Sequence, residues 1–365
     1  MRWAQNQDAA GLTSTAVDGI MHVFRSEGVR AMRDMHKVHV RGLVIAIVAL
    51  VVVVAGLIIY QQMEDESYGE PTTTVDPDFL NTPTITYEGH TYRQKPTSSI
   101  TPILLLGYDK ETDEQKGFRQ GGNSDFMLLL VIDHTDKTVY RMLLNRDTMT
   151  NVAILGVTGR KTGTRVMQLT LAHNFGATPE ENNDYAAEAV SNLLEGVPID
   201  FSLSMNMGSI SEFNRVLGGV TVTIQDDFSA EDPAMVPGAT LTLTDEQAYI
   251  FVRSRRNVSD GSNVSRMGRH TEYMTAAIDK LYDRLKGSAS AANDLYNEMS
   301  PLLHTNMSKG RLINEMNRAA TYTLDAQYEM EGEHVRDEKH NYNEFYPTEE
   351  SIMTWVLRAY YRQVD

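Results

Sequence analysis

Three short, continuously apolar runs in one stretch limit what this chain can fold into: Ile103–Leu106, Phe126–Ile132 and Val139–Leu144. Runs of this length without polar alternation are expected of strands buried on both faces of a sheet. The second and third are joined by the polar segment Asp133–Lys137, too short for anything but an antiparallel connection. Folding that hairpin at Thr135 sets position 125 opposite position 145 and brings Asp125 to the sheet edge that carries Arg146 and Asp147. If the first run pairs antiparallel with the second, its exit at Gly107-Tyr108-Asp109 opens onto the same edge. Asp109 and Asp125, far apart in sequence, then converge with Arg146 and Asp147 beyond strand ends, where α/β sheets place their ligands. Taken singly, Asp109 and Asp125 also fit ordinary strand-end positions.

A second feature sets the topology of the whole chain. Gly42–Tyr60 is nineteen residues without a charge, the length a hydrocarbon core asks of a helix. A buried soluble helix would show polar positions at helical spacing, and none occur. A cleaved signal peptide is the rival reading, but 41 residues precede the segment and no A-x-A site follows it. Residues 1–41 hold six Lys/Arg and four Asp/Glu, a net of +2, so the remainder carries −18 of the overall −16. Basic residues before the segment and Glu64, Asp65, Glu66 and Glu70 after it predict a cytoplasmic N-terminus. The expected organisation is a cytoplasmic tail (1–41), a single-pass anchor (42–60), an extracellular stalk (61–99) and an α/β domain (100–365). Within the stalk, TITYEGHTYRQ reads as a small hairpin turning at Glu88-Gly89.

Downstream, strand and helix patterns alternate. Thr178 caps a helix running to Glu195, with Pro179 at its first position and Gly196 at its end. Thr244 with Gln247 makes a capping box, so Asp245 to about Arg253 reads as a helix, with a strand as the alternative. The stretch SRMGRHTEYMTAAIDKLYDRLKG is an amphipathic helix with Arg266 and Arg269 one turn apart. The fold class is α/β, a central mixed sheet flanked by helices.

The composition narrows the chemistry. No cysteine is present, which removes disulfides and Cys-ligated metals, and the net charge of −16 argues against nucleic acid as a partner. No G-x-S-x-G or H-E-x-x-H occurs, and the histidines are scattered. Arg146, Arg253, Arg255, Arg256, Arg266 and Arg269 stand out in this acidic domain. Planar guanidinium groups match phosphate oxygens in pairs, and neighbouring aspartates suit a hard cation such as Mg²⁺. Together they point to charge neutralisation at a phosphoryl centre. The alternative is that these arginines form solvated salt bridges with the many acids.

At these residues the chain resembles the LytR-CpsA-Psr family of membrane-anchored cell-wall enzymes. The resemblance rests on Leu106–Asp109, Asn123–Met127, Asn145–Asp147, Gln168–Gly176, Gly218–Val222, Asp245–Arg255 and Ser265–His270, in order across roughly residues 100–285. It implies an extracellular phosphotransferase that moves a glycopolymer from an undecaprenyl-pyrophosphate carrier to peptidoglycan, at the 6-hydroxyl of N-acetylmuramic acid. It further implies Mg²⁺ (or Mn²⁺) at Asp109 and Asp125, and pyrophosphate contacts from Arg146, Arg253, Arg255, Arg266 and Arg269. Asp147 is a further catalytic candidate, and an apolar pocket takes the prenyl chain. Four positions depart from the family pattern: Asn123 for Arg, Asn145 for Pro, Gln168 for Lys and His270 for Gln. Two expected positive charges are thereby absent. A hydrolase of polyprenyl-linked substrates and a non-catalytic sensor of lipid-linked sugars are the alternative functions; a transcription factor fits least.

Overall fold

The structure is a computed structural model that describes residues 77–365 apart from 116, 118, 255–257, 259–262 and 340–341. The tail, the apolar segment 42–60, the first part of the stalk, Arg255 and Arg256 lie outside the described residues. Among the described residues no helix is long and apolar enough to cross a membrane.

The three apolar runs form the middle of a mixed sheet. They become β1 (Ile100–Tyr108), β2 (Ser124–Asp133) and β3 (Thr138–Leu143). Nine of the ten β2 residues are buried, as a strand covered on both faces must be. Three further strands complete the sheet: β4 (Phe201–Asn206), β5 (His304–Thr305) and β6 (Thr323–Glu329). Their order is β5-β4-β1-β2-β3-β6. The β1/β4 and β3/β6 pairs are parallel and the others antiparallel.

Alternation along the strands separates two cores. Leu104, Leu106, Met127, Leu129 and Val131 pack with Ala186 and Val190 of α1 (Pro179–Leu193) and with Trp355 of α7 (Glu349–Tyr360). Ile103, Ile132, Val139 and Leu203 face the other way, towards Leu312 of α6 (Lys309–Ala319). A third cluster joins α2 (Ile210–Leu217), α3 (Asp245–Arg253) and α4 (Asn263–Lys286) beside the sheet. The short α5 (Ala291–Met299) lies between α4 and α6 in sequence and adds Leu295 to the apolar interior. The helix reading of 245–253 holds: Thr244 accepts from the Gln247 N–H, and the Gln247 side chain accepts from the Thr244 N–H.

Two local expectations are corrected. The β2–β3 hairpin pairs Asp133 with Thr138 and Leu128 with Leu143, one residue out from a fold at Thr135. Extended to the edge, that register sets position 125 opposite Arg146 and not Asn145. A four-residue turn with Lys137 at φ 50° accounts for the shift, and Asp133 Oδ1 accepts the N–H groups of Thr135 and Asp136 at 2.8 Å. The stalk, read as 61–99, is folded from Pro77 onward. Thr84–Tyr87 and His90–Gln94 make the expected hairpin, with Glu88 and Gly89 both at positive φ, the requirement of a tight two-residue turn. Its second strand also pairs with Tyr361–Gln363 at the far end of the chain. Lys95 is buried 2.7 Å from Asp133. Composition hides these long-range partners, so the segment reads as a linker.

Candidate active site

A bulge at the start of β2 builds the centre of the site. Gly107 pairs with Phe126 and Tyr108 with Ser124, which leaves Asp125 as the extra residue. Bulges of this kind re-aim a side chain out of the ladder. Asp125 is buried, and its Oδ1 accepts from Arg146 Nη1, the residue just past β3. Arg266 from the first turns of α4 brings Nη2 to 2.9 Å from Oδ2. That contact is out of hydrogen-bond alignment, and Oδ2 is buried without a hydrogen bond. One carboxylate thus sits between two guanidinium groups, all three buried or nearly so.

Asp109 and Asp147 flank this centre. Asp109 follows β1, its N–H donates to Asn123 O at 3.0 Å, and its Oδ1 accepts from the Asn123 N–H at 2.7 Å. Asp147 Oδ1 lies 3.6 Å from Arg146 Nε and accepts from Gln168 Nε2 at 2.8 Å; Gln168 also donates to Asn343 O. The Asp147 N–H is held by Asn145 Oδ1 at 2.9 Å. Three of the departures from the family pattern, Asn123, Asn145 and Gln168, therefore hold the site's acids through neutral groups. The fourth, His270, is buried and bonded through Nε2 to Val252 O at 2.8 Å, with burial lowering its pKa to about 4.

The other arginines go separate ways. Arg253, half exposed at the end of α3, pairs with Glu111 and lies over the Tyr249 ring. Sequence reading missed Glu111 and Tyr249; the only signal was Tyr249 standing one helical turn before Arg253. Glu111 is delivered by a close backbone crossing, because a Cβ at Gly208 would lie 2.0 Å from Glu111 O. Arg253, Arg266, Asp109 and Tyr249 line a polar cleft of about 590 Å³. Arg269 is buried outside that lining. It donates to Phe251 O and Ser254 O and pairs with Asp226 at 2.6 Å, a clamp on the end of α3.

The cleft adjoins an apolar cavity of about 220 Å³, and Met207 lines both. The cavity runs between the sheet and α4, α5 and α6, past Phe126, Leu130, Met274 and Leu281. Asp125, Tyr108 and His270 stand at one end of it. A cleft with charged groups of both signs thus opens beside a cavity lined mainly by apolar side chains.

Burial pushes the Asp109 carboxyl above the usual aspartate range, with the charge of Asp125 adding to it. Burial also raises Asp147, against the opposing pull of Arg146. Both acids therefore ionise at higher pH than exposed aspartates, and ionisation is what a cation or a general base requires. No cluster of three or more His, Asp or Glu suited to a metal occurs among the described residues. Asp109 and Asp125 could offer carboxylate oxygens to a hard cation that completes its shell with ligand oxygens, Asp125 Oδ2 then being shared with Arg266 at 2.9 Å. The acid limb of a pH–activity profile should then lie above the ordinary aspartate range, and raising Mg²⁺ should move it to lower pH. A limb that stays put across a Mg²⁺ series would separate these acids from the metal.

Residues 68–355 match the sequence profile of the LytR_cpsA_psr family. The chain belongs to the LytR-CpsA-Psr family. Among curated relatives, proteins named polyisoprenyl-teichoic acid–peptidoglycan teichoic acid transferase TagU are similar. The one from Halalkalibacterium halodurans is 26% identical over 176 residues, 48% of this chain and 51% of the relative. The Bacillus cereus one is 26% identical over 50% of this chain and 53% of the relative. The chain thus spans about half the length of these LytR-CpsA-Psr relatives. Solved structures share the fold. The crystal structure of B. subtilis TagV has a TM-score of 0.53 at 21% identity, covering 70% of this chain and 94% of that one. Protein gbs0355 from Streptococcus agalactiae has a TM-score of 0.55 at 22% identity, covering 72% and 87%. TagT bound to LI-WTA has a TM-score of 0.50 at 20% identity, covering 70% and 87%.

Proposed function

We propose that this LytR-CpsA-Psr protein is a phosphotransferase that moves a glycopolymer from an undecaprenyl-pyrophosphate carrier to the 6-hydroxyl of N-acetylmuramic acid in peptidoglycan. It is held in the cell membrane by residues 42–60, with the N-terminus cytoplasmic and the catalytic domain outside. The observation that carries this reading is the joining of a buried arginine–carboxylate centre to a long apolar cavity. The names of the TagU relatives and the LI-WTA bound in the TagT structure support this reading.

In this account the prenyl chain lies in the cavity and the pyrophosphate lies in the cleft. Arg146, Arg266 and Arg253 neutralise its charge, and Arg255, outside the described residues, is a fourth candidate from the sequence alone. Asp109 and Asp125 would hold Mg²⁺ (or Mn²⁺), which when bound withdraws charge from the phosphate oxygens. The acceptor hydroxyl attacks the phosphorus nearer the sugar, its proton passes to Asp147, and the bridging P–O bond breaks. Prenyl phosphate leaves. Arg146 stands beside Asp125 and Asp147, where the developing negative charge needs a fixed donor. Arg269 supports the cleft from behind by holding the end of α3.

The neutral Asn123 and Gln168 favour the non-catalytic sensor as the second reading. Extraction of the full-length protein from membranes, followed by mass spectrometry, tests what the two share. Polyprenyl phosphate or pyrophosphate should co-purify. Its absence from preparations that retain other membrane lipids would remove both readings.

A further inference from the structure

The deep end of the apolar cavity is charged. Glu315 of α6 is 1% exposed and lines the cavity together with Ile132, Val139, Ala319 and Leu324. Its Oε1 lies 2.8 Å from Arg311 Nε and 4.0 Å from Arg318 Nη1, and its Oε2 lies 3.4 Å from His134 Nε2. His134 is itself fixed by Thr101 Oγ1 at 2.9 Å, and Arg311 Nη2 donates to the same hydroxyl at 2.9 Å. Because His134 follows the last residue of β2 while Asp125 stands near its first, the two polar centres occupy opposite ends of one strand. Phe126 and Ile132, six residues apart on β2, both line the cavity, so its apolar length is about 20 Å.

We propose that the Arg311–Glu315 pair closes this end and sets how much of a prenyl chain the protein encloses. This rests on the reading that the cavity takes the chain. Hydrocarbon pressed against a buried ion pair gains no favourable contact and hinders whatever solvation the charges retain. Affinity therefore grows with each unit laid along Phe126–Ile132 and stops growing where the chain meets Glu315. Units beyond that point stay outside. The mouth residues recognise the head, and the floor residues measure the tail.

The test is equilibrium binding of farnesyl, geranylgeranyl and undecaprenyl pyrophosphate to the full-length protein in detergent. Wild type should gain at least about tenfold from farnesyl to geranylgeranyl, a lower bound on what burying one more isoprene unit from water gives because detergent already shields part of the free lipid, and little from geranylgeranyl to undecaprenyl. In Glu315→Leu/Arg311→Met the pair is replaced by apolar side chains of similar size, a change that buried ion pairs often tolerate. Undecaprenyl should then bind at least about tenfold tighter than geranylgeranyl, as one further buried unit requires. An unchanged length profile in the folded double variant overturns the floor. A wild-type profile with no length dependence at all overturns the prior reading of the cavity, and the floor with it. Should the double variant not fold, Ala319→Phe decides, because it shortens the deep end from one turn beyond Glu315 while leaving both charges in place. Loss of the farnesyl-to-geranylgeranyl gain supports a closed end there, and retention overturns it.

Discussion

Arg146→Ala lowers transfer by a factor of about 10² to 10³, the range seen when a fixed donor to developing charge is removed. The expectation rests on where the guanidinium sits. It pairs with Asp125 Oδ1, lies 3.6 Å from Asp147 Oδ1, and is largely buried. Removing one partner of a buried pair costs about 3–5 kcal/mol when the other charge is stranded. Asp125 keeps Arg266 within 2.9 Å, so the loss of stability falls short of that range. Activity and stability are therefore separable, and urea denaturation alongside the transfer assay shows whether the fold has survived. Arg146→Lys should rescue little, because a point charge lacks the planar fork that meets two oxygens together. A folded Arg146→Ala protein with parental turnover removes this residue from the mechanism.

Asp125→Asn raises the Mg²⁺ concentration needed for half-maximal transfer by more than about tenfold, the lower end of what weakened metal shells show. The amide is close in shape, so the bulge and its packing persist. What changes is charge: Arg146 and Arg266 are left buried around a neutral group, and one hard anionic ligand is gone. Asp109→Asn should act in the same direction, with a milder effect on folding, since Asp109 is held by the backbone of Asn123. A parental Mg²⁺ titration for Asp125→Asn would deny it any part in cation binding, whatever the change in maximal rate.

The strands that carry this site were legible because they are local and unambiguous. Unbroken apolar runs at β1 to β3 admit little but a covered sheet, and the Thr244/Gln247 pair marks the start of α3 in four residues. The convergence of Asp109, Asp125, Arg146 and Asp147 followed from strand direction alone. Finer placement did not. Helical spacing puts Arg266 and Arg269 one turn apart, yet one reaches Asp125 and the other turns to Asp226 and the end of α3, a choice made by tertiary packing. The hairpin register missed by one residue because no local signal gives the left-handed Lys137 that lengthens the turn. Glu111 lay in a polar loop with nothing to mark its partner. The pairing of His90–Gln94 with Tyr361–Gln363 spans nearly the whole folded region, and periodicity carries no record of it.

One assay tests the transferase activity most directly. Full-length protein is incubated with a sugar-labelled undecaprenyl-pyrophosphate glycan, a peptidoglycan oligomer and Mg²⁺, and the products are separated. Label joined to the oligomer through a phosphodiester, with undecaprenyl phosphate released, is the predicted result. Labelled sugar phosphate in solution with an unmodified oligomer would make the protein a hydrolase. Intact donor after prolonged incubation, with the lipid bound, would contradict catalysis and leave the sensor.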